Sequence, residues 1–146
     1  MRRLAWLPVL ASLVACSERA ALDDALAEGL ASGQPVDLSA LQPGPWDRAC
    51  VLPPYTTDPA AETILGTPWE AGRYTDIAMS DAIAVLVFLD GRRVAAHVEM
   101  PRRRGDLAGL VPRCMDRSNA RLQEREERVS WLTGRGAAQN EGSADR

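Results

Sequence analysis

Few side chains in this sequence could carry chemistry, and their types restrict what that chemistry would be. His97 is the single histidine, so any serine–histidine–aspartate relay or imidazole acid–base scheme would have to run through it. No Gly-x-Ser-x-Gly, His-Glu-x-x-His or phosphate-cradling glycine pattern accompanies it. Its place near Glu99 and Arg93 reads as a surface histidine on a strand. An enzyme would have to rely on carboxylates such as Asp47 or Asp76, and nothing in their spacing marks a pair, so the expectation is a protein that is not an enzyme. Three cysteines, Cys16, Cys50 and Cys114, with no Cys-x-x-Cys spacing and one histidine, fit a zinc site poorly. No metal or other cofactor is expected.

Two further groups could bind rather than react. Arg102-Arg103-Arg104 could meet anionic headgroups or an acidic partner, at about 1 kcal/mol per residue near an anionic surface; the plain alternative is a solvated loop. The overlapping Arg104-Gly105-Asp106 spells an integrin-binding tripeptide, a match short enough to arise by chance. Trp69 and Tyr74 stand in a turn-rich stretch and could line a pocket or a projecting loop, whereas burial is the default for Trp46.

The N-terminus carries the strongest positional signal. Arg2-Arg3 precedes Leu4 to Ala15, twelve uncharged residues, and Leu13-Val14-Ala15 leads into Cys16. A membrane span needs about 20 apolar residues, and Pro8 would interrupt this one; about 7–15 residues suit a removed leader. Leu13-Val14-Ala15-Cys16 resembles the lipobox of bacterial lipoprotein precursors of the signal peptidase II type. The resemblance implies cleavage before Cys16, a diacylglyceryl group on its sulfur, and anchoring to a membrane by acyl chains, of which two or three hold stably where one does not. The residues around Arg2-Arg3 do not match the twin-arginine export pattern. Ser17 stands where an aspartate marks inner-membrane retention in that family. The implied place is the cell envelope, at the outer membrane facing the periplasm if the host is Gram-negative.

That compartment bears on the remaining thiols. With Cys16 acylated, Cys50 and Cys114 are left as an even pair in an oxidising space. A disulfide between them would close a loop of about 65 residues, worth about 4 kcal/mol in the chain-entropy view; two buried thiols or a metal pair are the alternatives. Of 146 residues, removal of 1–15 leaves 131, the size of one domain. All 17 positive residues are arginine, against 20 Asp plus Glu, for a formal charge of −3. Loss of Arg2 and Arg3 takes this to about −5, which gives no basis for nucleic-acid binding.

The elements that must position these residues follow from periodicity. Leu22, Leu26 and Leu30 fall on one face of a helix over 17–32, with Ser17 as its cap and Gly29 and Gly33 weakening and ending it; the leucines favour docking over a free tether. A connector spans Pro35 to Pro45. Trp46 to Leu52 reads as a strand with Trp46, Arg48, Cys50 and Leu52 on one side. Asp58-Pro59 starts a helix, with Asp58 as its cap, that stops at Gly66, and Thr67 to Ser80 is mostly loop. Ile83–Leu89 is a continuous apolar run, Asp90-Gly91 a favoured hairpin turn, and Arg92 to Met100 alternates. Pairing across that turn sets Val87 opposite Val94, Val85 opposite Ala96 and Ile83 opposite Val98, with Ala84 opposite His97 on the second face. A strand apolar on both faces is covered on both, so a helix or a partner must lie over Leu86 and Phe88. Residues 102–119 look irregular. Ala120 to Leu132 fits a helix through Leu122, Val129 and Leu132, or an edge strand pairing near Cys50, which a Cys50–Cys114 link would favour. From Gly134 the chain lacks apolar content and is expected to be disordered.

The expected fold is α+β: a small antiparallel sheet of three or four strands packed on one or two helices behind an N-terminal signal peptide. Its divisions are the leader 1–15, an N-terminal helix and connector 16–45, a domain over 46–133 and a tail over 134–146. Trp46 to Tyr55, Ile64-Leu65-Gly66 and the hairpin together resemble, over residues 36–104, a loose group of small bacterial lipoproteins to which no activity is assigned. Two roles are compatible with this outline. One is an assembly accessory, similar in layout to small outer-membrane-assembly lipoproteins on the Ile64-Leu65-Gly66 helix end and the later hairpin; it would dock an envelope protein through a flat apolar patch over Leu86 and Phe88. The other is a ligand or inhibitor module similar to the small, disulfide-bonded periplasmic lysozyme inhibitors, using the surroundings of Trp69 and Tyr74.

Overall fold

A computed structural model describes residues 14–132, with side chains from Ala21 onward. Residues 1–13, within the expected leader 1–15, and residues 133–146, with the expected disordered tail 134–146, lie outside the described residues. In chain order the elements are α1 (Val14–Ala31), β1 (Val36–Asp37), α2 (Leu38–Leu41), β2 (Arg48–Leu52), α3 (Asp58–Leu65), α4 (Ala71–Tyr74), β3 (Ile83–Asp90), β4 (Arg93–Pro101), β5 (Cys114–Asp116), β6 (Arg121–Arg125) and β7 (Arg128–Trp131). Short 3-10 turns occupy Ile77–Met79, Arg102–Arg104 and Arg117–Asn119. The fold is α+β, built on a four-stranded antiparallel sheet in the order β4-β3-β2-β5. A second antiparallel sheet, β1-β6-β7, was not anticipated.

The apolar run of β3 organises the layers. Ala84, Leu86 and Phe88 face a core shared with Leu26 and Leu30 of α1, Trp46, and Leu122, Val129 and Trp131 of the second sheet. Val85, Val87 and Leu89 face a separate core with Ala61 and Leu65 of α3 and with Ala71 and Ile77. Every residue from Ala84 to Leu89 is fully buried. The patch expected over Leu86 and Phe88 is therefore not a surface: α1, Trp46 and the second sheet cover it.

The hairpin corrects the expected pairing twice. Asp90 pairs with Arg93, so Gly91-Arg92 rather than Asp90-Gly91 forms the turn. Gly91 holds φ +59, the left-handed value required at the first position of a type II′ turn, and its N–H donates to Asp47 Oδ2 at 2.6 Å. A bulge then shifts the register between Phe88 and Leu89, leaving Phe88 opposite Ala96, Val87 opposite His97 and Leu86 opposite Val98. One extra residue in a strand moves everything beyond it to the other face. Val98 and Met100 thus join Leu86 in one core, and His97 lies with Val87 on the other face.

Helix α1 begins three residues before the expected start and docks along the domain. Leu26 and Leu30 are fully buried and Leu22 packs beside them. Gly29 does more than weaken the helix: a Cβ there would fall 2.8 Å from Val36 Cγ2, so β1 passes too close for a side chain. At the helix end Gly33 takes φ +69 and its N–H donates to Leu30 O at 3.0 Å.

Elsewhere local chemistry moved several boundaries. Strand β2 starts at Arg48, and Trp46, ahead of it, swings to the side of Ala49 and Val51, where its ring meets Phe88 edge-on at 5.0 Å. Thr57, not Asp58, is the N-cap of α3; Asp58 Oδ1 instead accepts from Gly72 N at 2.9 Å and ties α4 to α3. The expected loop 67–80 contains α4 and the Ile77–Met79 turn, and the irregular stretch 102–119 contains β5. Residues 121–131 are strands, as one of the two alternatives had it, but they pair with β1 rather than near Cys50. It is Cys114 itself, on β5, that lies directly opposite Cys50 and joins it in a disulfide 64 residues apart in sequence.

Two stability outcomes follow. Gly29→Ala gains about 0.5–1 kcal/mol of helix preference but forces an atom against β-branched Val36, an overpacking cost of about 1–3 kcal/mol; thermal unfolding should show a lower Tm, and a raised one would contradict the close approach. Replacing both Cys50 and Cys114 by alanine should lower the unfolding free energy by about 4 kcal/mol, read as a drop in denaturant midpoint.

Candidate ligand-binding groove

Helix α3 ends at Gly66, left-handed at φ +70, whose N–H donates to Glu62 O at 2.8 Å. This sharp stop sends the chain back toward the hairpin, where Thr67 Oγ1 donates to Arg92 O at 2.9 Å. Trp69 follows at once, and the one-turn helix α4 presents Tyr74 beside it. The two ring planes differ by 4° with centroids 5.9 Å apart. His97 completes the group, its ring 5.3 Å from Trp69 and 6.2 Å from Tyr74.

Sequence reading placed His97 on the strand surface; the structure buries it to 7% exposure. The bulge at Ala95 is the reason, because it turns His97 toward the Val87 face, where Trp69 covers it. Only the adjacent small residues Ala95-Ala96, which a bulge tolerates, hint at this in the sequence.

Together Trp69, Tyr74, Val94, Ala95, Ala96 and His97 line an open groove of about 370 Å³. Trp69 is half-buried and forms the floor, whereas Tyr74 is 49% exposed and forms a rim. Arg73 lies 6.0 Å from the Tyr74 ring centre and pairs with Glu70 at 3.3 Å. No carboxylate or guanidinium is among the lining residues, and neither is a serine or cysteine. Two aromatic faces, small aliphatic walls and a few polar tips suit a neutral ligand with one apolar face and one wet face.

A wider depression of about 680 Å³ lies under the β6–β7 turn, lined by Asp106, Leu110, Glu126, Glu127 and Trp131 among others. Glu126 and Glu127 both take left-handed φ (52° and 60°), the type I′ geometry that asparagine and glycine adopt more readily. The indole N–H of Trp131 is already donated to Pro112 O. We place the candidate site at the smaller groove because its aromatic rings are open to a ligand.

The other residues singled out by type lie elsewhere. The Arg102–Arg104 turn is at the far end of β4 and is tied down: Arg102 Nε and Nη2 donate to both oxygens of Asp106 at 3.0 and 2.8 Å, and Arg104 Nη2 donates to Asp24 of α1 at 2.9 Å. Arg103 is exposed beside α1. Gly105, central in the Arg-Gly-Asp tripeptide, is buried under Leu30, whose Cδ1 would stand 2.6 Å from a Cβ there. Asp47 is taken up by the hairpin turn, and Asp76 is exposed ahead of the Ile77–Met79 turn. Cys16 falls in the first turn of α1. Among the described residues no group of three or more His, Cys, Asp or Glu could hold a metal, and no helix is long and apolar enough to cross a membrane.

The arginine turn has a pH signature. The Arg102 guanidinium holds the Asp106 carboxyl below its ordinary value. A depressed folded-state value adds stability above the unfolded pKa and loses it as pH falls through the folded one. Tm should therefore fall as pH drops below about 4, and less steeply in Asp106→Asn; equal slopes would remove this pair from the acid response. No family model, curated protein or solved structure matches the chain.

Proposed function

We propose that the chain is a non-enzymatic envelope lipoprotein, anchored through acyl chains on Cys16, that binds a ligand in the groove of Trp69, Tyr74 and His97. The observation that carries the binding role is the near-parallel Trp69–Tyr74 pair standing open over the bulged segment of β4. The cross-strand Cys50–Cys114 disulfide supports the compartment, since such bonds persist where the surroundings are oxidising. Burial of Leu86 and Phe88 weighs against docking through that face. A second reading, the assembly accessory, draws support from a different place: Tyr55 and Met79 are 61% and 87% exposed near one another, Tyr55 N–H donating to Ile77 O at 2.9 Å.

Intact-mass analysis of protein purified from its host reads the anchor directly: loss of residues 1–15 and a diacylglyceryl increment are expected, and an unmodified chain retaining Met1 would defeat the lipoprotein reading. For the groove, affinity capture from envelope extracts should lose its bound component in Tyr74→Ala and keep it in Tyr74→Phe. Loss instead in Tyr55→Ala and Met79→Ala would favour the accessory reading.

A further inference from the structure

Helix α1 carries Cys16 in its first turn and is clamped to the domain a short way on. From Cys16 to Ala21, the first residue at the α1–α2 groove, is about 8 Å of helix. That groove is formed with Leu41, Gln42, Pro43 and Gly44. Gly44 O accepts from Arg117 Nη1 at 2.9 Å, Arg117 N donates to Asp47 O at 2.8 Å, and Asp47 Oδ2 accepts from the Gly91 turn at 2.6 Å. The start of α1 therefore lies at the same end of the domain as the β3–β4 turn. Its C-terminal end lies at the opposite end, where Leu30 meets Gly105. At that opposite end Arg102 N donates to Ala82 O, and the exposed Tyr55 and Met79 flank the start of β3.

Resting on the acylation of Cys16 proposed above, we infer that the mature protein stands on the bilayer with its Gly91-Arg92 turn toward the headgroups and its Tyr55–Met79 pole toward the aqueous space. The partner surface is the plane of lipid headgroups. Even unwound, residues 16–21 reach about 20 Å, whereas β3 alone spans about 25 Å, so the anchor cannot invert the domain while α1 stays packed beside α2 from Ala21 and Leu22 onward. Charge does not oppose the approach, because Asp47, Asp90 and Asp116 at the turn end are balanced by Arg92, Arg93 and Arg117. The orientation runs against two simpler readings. It turns the exposed apolar side chains of Tyr55, Met79 and Val111 away from lipid, and it keeps the Arg102–Arg104 turn above the headgroups.

The test uses the lipidated protein in vesicles with acceptor-labelled headgroups. With Cys16 acylated and Cys50 bonded to Cys114, a fluorophore on Arg92→Cys or on Met79→Cys is the single thiol label. Energy transfer about threefold or more stronger from position 92 than from 79 is expected for points about 25 Å apart along the strands. Equal or reversed transfer in protein that floats with the vesicles overturns the orientation alone. Failure to float overturns the anchor and the orientation with it.

Discussion

A strand that is apolar on both faces cannot end at a solvent boundary, and the domain is arranged around that constraint. β3 buries six consecutive residues, Ala84 to Leu89, and each face requires its own cover. One cover is local in sequence: α3 and α4 precede β3 and close over Val85, Val87 and Leu89. The other is assembled from both ends of the described chain, with α1 from the N-terminal side and β6–β7 from the C-terminal side, joined through β1. The helix that bears the candidate anchor is therefore part of the core and not an appendage. Gly29 lets α1 pack tightly on Val36 of β1, and Gly105 lets the chain after β4 pass tightly under Leu30 of α1.

The disulfide belongs to the same arrangement. β5 is only three residues long and lies at the edge of the main sheet, beside β2. A strand this short contributes few ladder hydrogen bonds, and the bond from Cys114 to Cys50 holds it in register against the core of Leu52, Leu65 and Val87. At the opposite edge, β4 has no such staple; it is held by the hairpin turn, which Asp47 caps from just ahead of β2, and by Trp69 packed over His97. The candidate groove thus occupies the edge where the sheet's pairing is irregular, a common place for a bulge to re-aim a side chain.

Local chemistry made much of the fold readable. The leucine spacing of α1, the proline and glycine bounding α3, the apolar run of β3 and the turn signal at Gly91 all express short-range preferences, and each element lies close to where they place it. The candidate site was legible only in part. Trp69 and Tyr74 stand out by type, but a five-residue separation says nothing of ring geometry, and His97 was assigned to the wrong face. The error is one residue of register: strict alternation carries Val98 with Val87, while the bulge carries it with Leu86. No preference of Ala95 itself requires the bulge. It is set by how β4 must lie against α1 on one side and Trp69 on the other.

Residue order alone established an α+β chain with a central doubly buried strand and a docking face on the first helix, because these depend on periods a few residues long. Which residues share a surface was decided by the tertiary structure. It hid Leu86 and Phe88, turned His97 inward under Trp69, tied Arg102 and Arg104 to carboxylates, and put the start of α1 at the same end as the Gly91 turn. Those outcomes follow from pairing register and layer packing between segments tens of residues apart, where a shift of one position exchanges inside for outside.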